Sequence, residues 1–463
     1  MPALQRRGHR VWAGVRTVST AIELLGGDCE FVDLSNDEAL AEALKRSDAL
    51  VHLAGSPIVG THWRNGKPSH YASRVALLER LHRFLPPTGA GGPQTVISAS
   101  AVGIYGEGRG DQELSEATAA GSGPIASLCQ AWEDAADLFQ TGQRRVVKLR
   151  CGVVLGQEGG ALLKLAQLAR LGLSGRIGGG RQWVSWIHMN DLVALILQSI
   201  EDRLLSGAVN ATSPNPCTQQ TLSRAVAAAV SRPLQAPVPA VALRLRYGAA
   251  ASVLTDSHRV LPVAATEARF DFKFPSLEAA LDDCLGASAQ STVRRVKDSH
   301  HGNAWRLTDT MDVEAPLEEV SRFFANPHNL GAITPAWLSF QFLQIPDALT
   351  EGARLIYQIR IGGLPMRWVT RLTRWDLPLE FRDEQERGPY RVWNHSHSFE
   401  RLSHGGTRIR DEVIFAARFG VFGRLAERLF VCNQVRRIFA YRRAVTARRF
   451  GTYEQSLRES SVA

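Results

Sequence analysis

The sequence is poor in cysteine, with six in 463 residues, and the six are widely separated. No two have the Cys-x-x-Cys spacing, which argues against a zinc site and a disulfide framework, so we predict no metal site and a reducing, cytoplasmic location. No apolar run approaches the ~20 residues that a membrane helix needs, and the N-terminal segment lacks the apolar core of a signal peptide. We therefore predict no integral membrane segment.

Charge is unevenly distributed along the chain, whose formal net charge is +9. Residues 1–292 carry 28 basic and 26 acidic side chains, a difference of +2, whereas residues 293–463 carry 26 and 19, a difference of +7. This bias is compatible with nucleic-acid or anion binding. Aromatic residues are not interleaved with the C-terminal arginines as a single-strand binder requires, so we expect a solvated basic surface and no nucleic-acid partner. These arginines are Arg436, Arg437, Arg442, Arg443, Arg448 and Arg449.

Strands and helices alternate over the first half of the chain. Periodicity predicts strands at 10–15, 30–34, 48–55, 95–100 and 145–150 and helices at 37–46, 71–85 and 125–141. This order is typical of an α/β fold with a mostly parallel sheet. The segment 95–106, TVISASAVGIYG, ends a buried strand in hydroxyl-bearing and small residues. Because ligands bind beyond the carboxyl ends of such strands, we place a site there.

Four sequence blocks occur in order: HLAG at 52–55, SASAVGIYG at 98–106, LRCGVVLG at 149–156 and GGGRQWVSWIHMNDL at 178–192. Together they resemble the atypical extended short-chain dehydrogenase/reductases of the nucleoside-diphosphate-sugar epimerase family. The resemblance implies a Rossmann-like NAD(P)-binding domain over 1–236 and a small C-terminal cap over 237–287. It also implies a small-molecule substrate that is a nucleotide sugar or another carbonyl or alcohol.

The resemblance implies cofactor contacts at Arg16, Leu53, Ala54, Gly55 and Ser98 and substrate contacts at Arg181, Trp186 and His188. Tyr105 is a candidate substitute catalytic acid with Ser100 as its hydrogen-bond partner, and a packed tyrosine that lines the cleft is the alternative. An arginine at position 16 suits a 2′-phosphate and favours NADP over NAD. Two interpretations of His188 are open: a buried residue that is hydrogen-bonded to the backbone, and a residue that faces the substrate. Asp191 is predicted to cap the helix over 192–200.

Two departures from the family pattern weaken the expectation of ordinary catalysis. The strand and glycine-rich turn that hold the pyrophosphate are not in the sequence before residue 10, so we expect NADP or NAD to bind weakly or not at all. A sequence recorded from an internal start codon and a genuine short form both explain this. Ile125 and Cys129 occupy the positions of the usual Tyr-x-x-x-Lys pair, and neither can transfer a proton as that pair does.

The second half of the chain has a different pattern. Residues 288–303 are polar and predict a linker, and 304–452 show alternating strands closed by a long helix. This order resembles the START-like, polyketide-cyclase-like (SRPBCC) helix-grip superfamily, in which sheet and helix enclose an apolar ligand cavity. The candidates for its lining are Trp368, Trp393, His395, His397 and Phe399, most of them expected to be structural.

The predicted fold class is therefore α/β, with a Rossmann-like parallel sheet lacking its first strand and glycine loop, followed by an α+β helix-grip domain. The leading hypothesis for function is an NAD(P)-dependent epimerase or oxidoreductase with an appended domain for an apolar ligand. The alternative is a non-catalytic ligand-binding or sensing protein that has lost dinucleotide binding. Whether the protein is an enzyme stays open at this point.

Overall fold

The structure is a computed structural model of the 463-residue chain. It describes residues 1–25, 29–56, 58, 68–87, 90–156, 160–170, 175–230, 232, 235–239, 241, 243, 245, 251–285, 291–298, 302–346, 348–361, 364–403, 405–418, 427 and 431–452. The chain divides into two compact units, Val32–Gly286 and a second that joins Met1–Phe31 to Ala287–Ala463. In the parts described above, no helix is long and apolar enough to cross a membrane.

The N-terminal segment forms helix α1 (Pro2–Arg6), strand β1 (Trp12–Val15), helix α2 (Val18–Leu25) and strand β2 (Glu30–Asp33). β1 and β2 form a two-stranded sheet of their own. Glu30 supports this pairing by accepting from Arg10 Nε at 2.6 Å and from Trp12 Nε1 at 2.7 Å. The strands predicted at 10–15 and 30–34 are therefore present, but the four-stranded sheet described next does not include them.

The Val32–Gly286 unit is built on a four-stranded parallel sheet. Its strands are β3 (Ala49–His52), β4 (Thr95–Ala101), β6 (Arg145–Cys151) and β11 (Gly207–Ala211), in the order β11-β6-β4-β3. Among the described residues no strand pairs with the outer edge of β3. The family order 3-2-1-4-5-6 places its first strand at that edge. The parallel, Rossmann-like sheet predicted from sequence is thus observed without that strand.

Helices and short strands surround this sheet. The helices are α3 (Asp37–Arg46), α4 (Pro68–Tyr71), α5 (Leu77–Arg83), α6 (Pro124–Asp137), α7 (Gly160–Arg170), α8 (Met189–Glu201), α9 (Gln219–Ala229), α10 (Ser252–Thr255), α11 (Val263–Glu267) and α12 (Leu277–Leu285). The short strands are β5 (Glu113–Leu114), β7 (Val153–Leu155), β8 (Gly175–Ile177), β9 (Trp183–Val184), β10 (Trp186–His188), β12 (Cys217–Thr218), β13 (Gln235–Val238) and β14 (Arg259–Val260). A π-helical turn (Ala72–Ala76) precedes α5, and a 3-10 turn (Val102–Tyr105) follows β4.

Apolar side chains cover both faces of the sheet, as the βαβ pattern requires. On β4, Val96 packs with the leucines of α3 and α5 and with Trp132 of α6, whereas Ile97 packs with Leu195 of α8. Successive side chains of β4 therefore pack into the hydrophobic cores on opposite faces of the sheet.

The start of helix α3 is set by its own sequence. Asn36 Oδ1 accepts a hydrogen bond from Ala39 N at 3.0 Å and so caps the first turn.

The predicted cap at 237–287 is described in part, because residues 240, 242, 244, 246–250 and 286–287 lie outside the described residues. Within the described part, α12 packs through Leu281 and Cys284 against α7 and α9.

The prediction that Asp191 caps the helix over 192–200, observed as α8, is wrong. His188, not Asp191, is its N-cap, with Nδ1 accepting from Asn190 N at 3.1 Å. Asp191 instead accepts from the backbone amides of Lys273 at 3.0 Å and Phe274 at 3.1 Å.

The C-terminal unit contains an eight-stranded antiparallel sheet with the order β15-β16-β22-β21-β20-β19-β18-β17. Its strands are β15 (Thr292–Asp298), β16 (Gly302–Val313), β17 (Gln341–Gln344), β18 (Arg354–Ile361), β19 (Leu364–Asp376), β20 (Glu380–Arg387), β21 (Tyr390–Arg401) and β22 (Thr407–Ala417). Its helices are α13 (Leu317–Ala325) and α14 (Cys432–Phe450). Core side chains of α14, among them Val435 and Phe439, pack with Val413 and Phe415 of β22.

Two expectations for this unit need correction. The linker predicted at 288–303 contains β15, which pairs with β16 from Thr292↔Thr308 to Asp298↔Gly302. Edge strands are often polar, which is why its composition suggested a linker. Arg442 was placed on the solvated face of the last helix but is 8% exposed. A carboxylate on the sheet, Asp411, lies 3.9 Å from its Nη1 and makes that burial tolerable. The predicted start of this helix, 423–430, lies almost wholly outside the described residues.

Candidate functional site

The carboxyl ends of β3 and β4 lie side by side in the Val32–Gly286 unit. Their parallel register pairs His52 with Ser98. Leu53, Ala54 and Gly55 follow β3 and are exposed, with Leu53 57% exposed although it is apolar. Ser98 is buried, and its hydroxyl donates to the carbonyl oxygen of Ala99 at 3.1 Å. The structure therefore brings four of the five predicted cofactor residues to one edge of the sheet, and their role in binding stays a prediction.

A buried polar network begins at the second serine of β4. The Ser100 hydroxyl donates to Glu133 Oε1 at 2.7 Å, across from β4 to α6. Arg150 on β6 donates to the same carboxylate, from Nε to Oε1 at 2.9 Å and from Nη2 to Oε2 at 3.0 Å. Ser100 is 3% exposed and Glu133 is 6% exposed. Sequence spacing alone did not predict this ion pair, because its members lie on different elements.

Tyr105 continues the network into the interior. Its hydroxyl accepts from Arg150 Nη1 at 3.1 Å and lies 2.7 Å from Asn210 Oδ1 and 3.0 Å from the Ser115 carbonyl oxygen. The ring is fully buried. Burial raises the pKa of the Tyr105 phenol, and its hydrogen bonds with Arg150 and Asn210 oppose that shift only in part. In this arrangement Tyr105 is well placed to orient Arg150, and no exposed face of its ring reaches the sheet edge.

Helix α6 carries the residues that stand in place of the Tyr-x-x-x-Lys pair. Ile125 is 8% exposed and Cys129 is 1% exposed, and both pack with Tyr105 and Ile104. Burial raises the pKa of the Cys129 thiol to about 12. Gly103 makes this close approach possible, since a Cβ at that position would lie 2.5 Å from Ile125 Cγ2. These two positions therefore contribute packing and no ionised group.

A buried cation, not predicted from the sequence, lies beside the exposed residues 53–55. Arg74, in the π-helical turn, is 7% exposed, and its Cζ would lie 2.7 Å from a Cβ added to Gly55. Its guanidinium lies 4.9 Å from the centre of the Trp132 ring. No carboxylate forms an ion pair with it within the described part of the chain, and burial lowers its pKa. The sequence around Arg74 predicts an ordinary helix and does not predict that this arginine is buried, because its burial depends on tertiary packing.

The three predicted substrate residues lie in different environments. Trp186 is fully buried and donates from Nε1 to the Asn215 carbonyl oxygen at 3.0 Å. His188 is also buried, packs against Phe274 with ring centres 3.8 Å apart and ring planes tilted by 31°, and places Nε2 3.1 Å from Asp283 Oδ2. Arg181 is exposed on the segment before β9. Of the two readings of His188, the structure shows the buried residue bonded to backbone.

Arg16 follows β1 in the other unit, where its side chain is exposed. Its predicted contact with a 2′-phosphate stays a prediction.

The C-terminal unit contains a cavity of about 150 Å³ between its sheet and α14. Trp368, Trp393, His395 and His397 are among its lining residues, whereas Phe399 packs in the core, its ring centre 6.1 Å from that of Phe381. Most of the wall is apolar or aromatic, including Leu338 and Phe340. Such a lining is typical of sites for small molecules with a large apolar part.

Comparison with known proteins agrees with the parallel, Rossmann-like sheet. Residues 1–211 match the sequence model of the NAD dependent epimerase/dehydratase family, and residues 238–284 match a domain of unknown function (DUF1731). The chain is 32% identical over 281 residues to the chloroplastic epimerase family protein SDR39U1 homolog of Arabidopsis thaliana, covering 60% of this chain and 80% of that protein. It is 38% identical over 281 residues to the epimerase family protein Mb2239 of Mycobacterium bovis, covering 60% of this chain and 90% of that protein.

A solved structure shows the same relationship. The crystal structure of human epimerase family protein SDR39U1 (isoform2) with NADPH superposes with a TM-score of 0.54 at 26% sequence identity. The superposition covers 62% of this chain and 95% of the human chain. Sheet order, the strand-end residues and the identity to these relatives lead to one conclusion: the chain belongs to the NAD-dependent epimerase/dehydratase family.

Proposed function

We propose that the Val32–Gly286 unit binds NADP or NAD at the carboxyl ends of β3 and β4 and acts on a nucleotide sugar or another small carbonyl or alcohol. The observation that carries this proposal is the pairing of His52 with Ser98, which sets the exposed residues 53–55 beside the serines of β4. Ligands of α/β sheets lie at this edge. The human relative, whose structure is with NADPH, supports NADP as the first choice.

Arg74 supports an anionic ligand at the same edge. A cation taken out of water is costly unless a negative group compensates it, and within the described residues no carboxylate pairs with this guanidinium. Arg74 lies against Gly55, one of the predicted cofactor residues. A phosphate of the dinucleotide or of a nucleotide-sugar substrate would supply the missing charge. The dinucleotide when bound would supply or accept hydride, and Arg74 would hold and orient an anionic group beside it.

Ser100 and Tyr105 were predicted as a substitute catalytic pair. Because both side chains are buried and bonded to the Arg150–Glu133 pair, we assign them a positioning role. They would hold the end of β4 and the turn after it in the geometry that the ligand needs. A positioning role has a different consequence from a catalytic one. Loss of the Tyr105 hydroxyl should lower the stability of the fold and should not remove a proton-transfer step.

A non-catalytic binding or sensing protein is the second candidate function. It is favoured by Ile125 and Cys129, which are apolar or un-ionised and buried where the family's proton donor and its lysine stand. Because this candidate has lost dinucleotide binding, absence of NADPH binding would be its signature. The two candidates therefore differ already at the binding step.

Titration of the full chain with NADPH, followed by fluorescence, tests the binding step. Arg74→Met keeps the side-chain length and removes the charge, so its affinity should fall about tenfold or more if Arg74 meets a phosphate. Arg80→Met is the matched control, because Arg80 pairs with Asp37 and donates to the Leu34 carbonyl oxygen. Its affinity should equal that of the wild type.

A second comparison sets the wild-type chain beside a variant that supplies a glycine-rich turn. A variant with a designed strand and Gly-x-x-Gly-x-x-Gly turn placed before Met1 should bind NADPH more tightly. Absence of binding by both forms would contradict the proposal. Oxidation of NADPH by either form with a carbonyl substrate would favour the enzyme over the binding protein.

The C-terminal unit is proposed to be a helix-grip domain of START-like type whose cavity binds an apolar ligand. Its antiparallel sheet, its last helix and the aromatic lining of the cavity support the proposal. Binding of the fluorescent probe 1-anilinonaphthalene-8-sulfonate tests it. Leu338→Trp should fill the cavity and weaken probe binding, whereas Leu343→Trp, at a side chain 51% exposed on β17, should leave it unchanged. Equal binding by both variants would contradict the cavity as the site.

A further inference from the structure

A cluster of ionisable side chains lies at one end of the cavity in the C-terminal unit. Asp383 of β20 and His395 of β21 stand directly opposite each other in the antiparallel register. His397 follows His395 by two residues on the same strand, so the two rings share one face of the sheet. One ligand-type atom from each of the three lies within 4.8 Å of those of the others. All three line the cavity.

The distance between Asp383 and His395 is informative. Asp383 Oδ2 lies 3.6 Å from His395 Nδ1, which is too long for a hydrogen bond. Two ligand atoms that each lie about 2.1 Å from one tetrahedral ion are separated by about 3.4 Å. The two side chains therefore face each other at the spacing of atoms that share an ion.

A second carboxylate holds the other side of the histidine pair. Asp411 of β22 lies 3.2 Å from His395 Nε2 and 2.6 Å from His397 Nδ1 through its Oδ1 atom. A carboxylate behind a ligating histidine fixes the ring orientation and leaves the opposite nitrogen for the metal. Asp411 does this for His395 through a hydrogen bond, which leaves Nδ1 of His395 as a ligand atom. Nδ1 of His397 lies beside the same carboxylate without forming a hydrogen bond in the described part of the chain.

The charges of the cluster favour a cation. Arg442 of α14 lies 3.9 Å from Asp411, so these two opposite charges compensate each other. Asp383 forms no ion pair with a lysine or arginine in the described part of the unit, and its ion-pair contact is with His395. Arg442, which is shared with Asp411, and His397 also act on it electrostatically. A divalent ion between Asp383 and the histidines would compensate the remaining negative charge in a largely apolar cavity.

We propose that Asp383, His395 and His397 bind one divalent transition-metal ion of the zinc type. Two imidazoles and one carboxylate form a donor set for such ions that leaves coordination positions open. Those positions face the cavity, so a ligand there meets the ion at one end and aromatic side chains at the other. This site is independent of the dinucleotide site, and it revises the prediction from sequence that the protein holds no metal.

Metal binding to the chelator-treated full chain tests the proposal. Zn²⁺ titration by calorimetry is expected to show one tight site, and Co²⁺ substitution should give the visible absorption of a low-coordinate cobalt centre. Asp383→Asn keeps the shape of the side chain and should weaken Zn²⁺ binding about tenfold or more. Asp376→Asn, at a carboxylate that is 54% exposed on β19, is the matched control and should bind like the wild type.

Folding of each variant is checked by its thermal melting curve, and Zn²⁺ should raise the melting temperature of the wild type and of Asp376→Asn only. Should Asp383→Asn fail to fold, His397→Gln replaces it, with the same expected loss. A wild-type chain that binds no Zn²⁺ and gives no cobalt spectrum would overturn the proposal. Equal Zn²⁺ affinity in the wild type and Asp383→Asn would overturn it too, because the ion would then lie elsewhere.

Discussion

Arg150 and Glu133 form a buried, two-pronged ion pair that joins β6 to α6, with N–O distances of 2.9 and 3.0 Å. Their side chains are 10% and 7% exposed. The same carboxylate accepts from Ser100, and the same guanidinium donates to Tyr105. Through Ser100 the pair also links β4, which ends at the candidate site, to the helix that normally carries the family's catalytic residues.

Removing one member of this pair should destabilise the protein strongly. Glu133→Gln leaves the Arg150 cation buried without its counter-charge, and we expect a loss of about 3–5 kcal/mol in the free energy of unfolding. Asp137→Asn is the control, because Lys148–Asp137 joins the same helix and strand at a side chain that is 46% exposed. Its loss should be about 1 kcal/mol or less. Urea unfolding measures both values, and equal losses would contradict the argument.

Tyr105→Phe tests the positioning role of the phenol. The substitution leaves Asn210 Oδ1 and one donor of Arg150 without their partner, so the free energy of unfolding should fall by about 1–3 kcal/mol. NADPH affinity should stay within about twofold of the wild type, because the ring is fully buried. Denaturant unfolding and NADPH titration of the same preparations check the prediction. Unchanged stability with lost NADPH turnover would instead indicate a catalytic Tyr105.

His52 should make stability depend on pH. Burial and the neighbouring Arg74 lower its pKa from 6.5 to about 4, and its two ring nitrogens have no hydrogen-bond partner within the described residues. Because the folded pKa is the lower one, the unfolded chain binds the proton first as pH falls. The contribution of neutral His52 to the free energy of unfolding is therefore complete above pH 6.5 and is lost progressively as the pH falls to about 4.

The expected loss from this residue is about 2–3 kcal/mol across that pH range. His52→Phe keeps an aromatic ring against Trp132, from which the His52 ring centre lies 6.3 Å, and removes the titrating group. Urea unfolding at several pH values should give a flatter curve for this variant than for the wild type. Parallel curves would show that the histidine titrates alike in both states.

Gly103 should be the position where packing of α6 is most sensitive to one methyl group. A Cβ there would lie 2.5 Å from Ile125 Cγ2, so Gly103→Ala should cost about 1–3 kcal/mol. Ile125→Ala removes the clashing methyl group, and the double variant should cost less than the sum of the two single changes. Gly179→Ala, with no atom within 4 Å of an added Cβ, is the control. Additive losses in thermal unfolding would contradict the contact.

The sequence predicted the elements that depend on local pattern. The strand over 95–100, the helix over 37–46 and the antiparallel strands after 304 all follow from periodicity, and the structure has them. The pairing of HLAG with the first serine of SASAVGIYG also follows, because parallel strands bring their carboxyl ends to one edge.

Features that depend on packing between distant segments were missed. Arg74 has nothing in its local sequence that distinguishes it from an exposed helical arginine, and its burial comes from Trp132 and Gly55. Arg442 was assigned to solvent for the same reason, although Asp411 on the sheet holds it inside. The sequence predicts a linker where the structure has strand β15, because an edge strand can be polar on both faces.

The contact between Arg442 and Asp411 also fixes how the last helix is seated on its sheet. Asp383, His395, His397 and Asp411 come from three consecutive strands, so short-range hairpin contacts can assemble them before α14 arrives. Shifting α14 by one turn would bring Ile438 or Thr446 against the buried carboxylate in place of Arg442. Neither can compensate its charge, so this ion pair adds to the Arg443–Asp309 pair and to the core packing of α14 in favouring one register of the nineteen-residue helix.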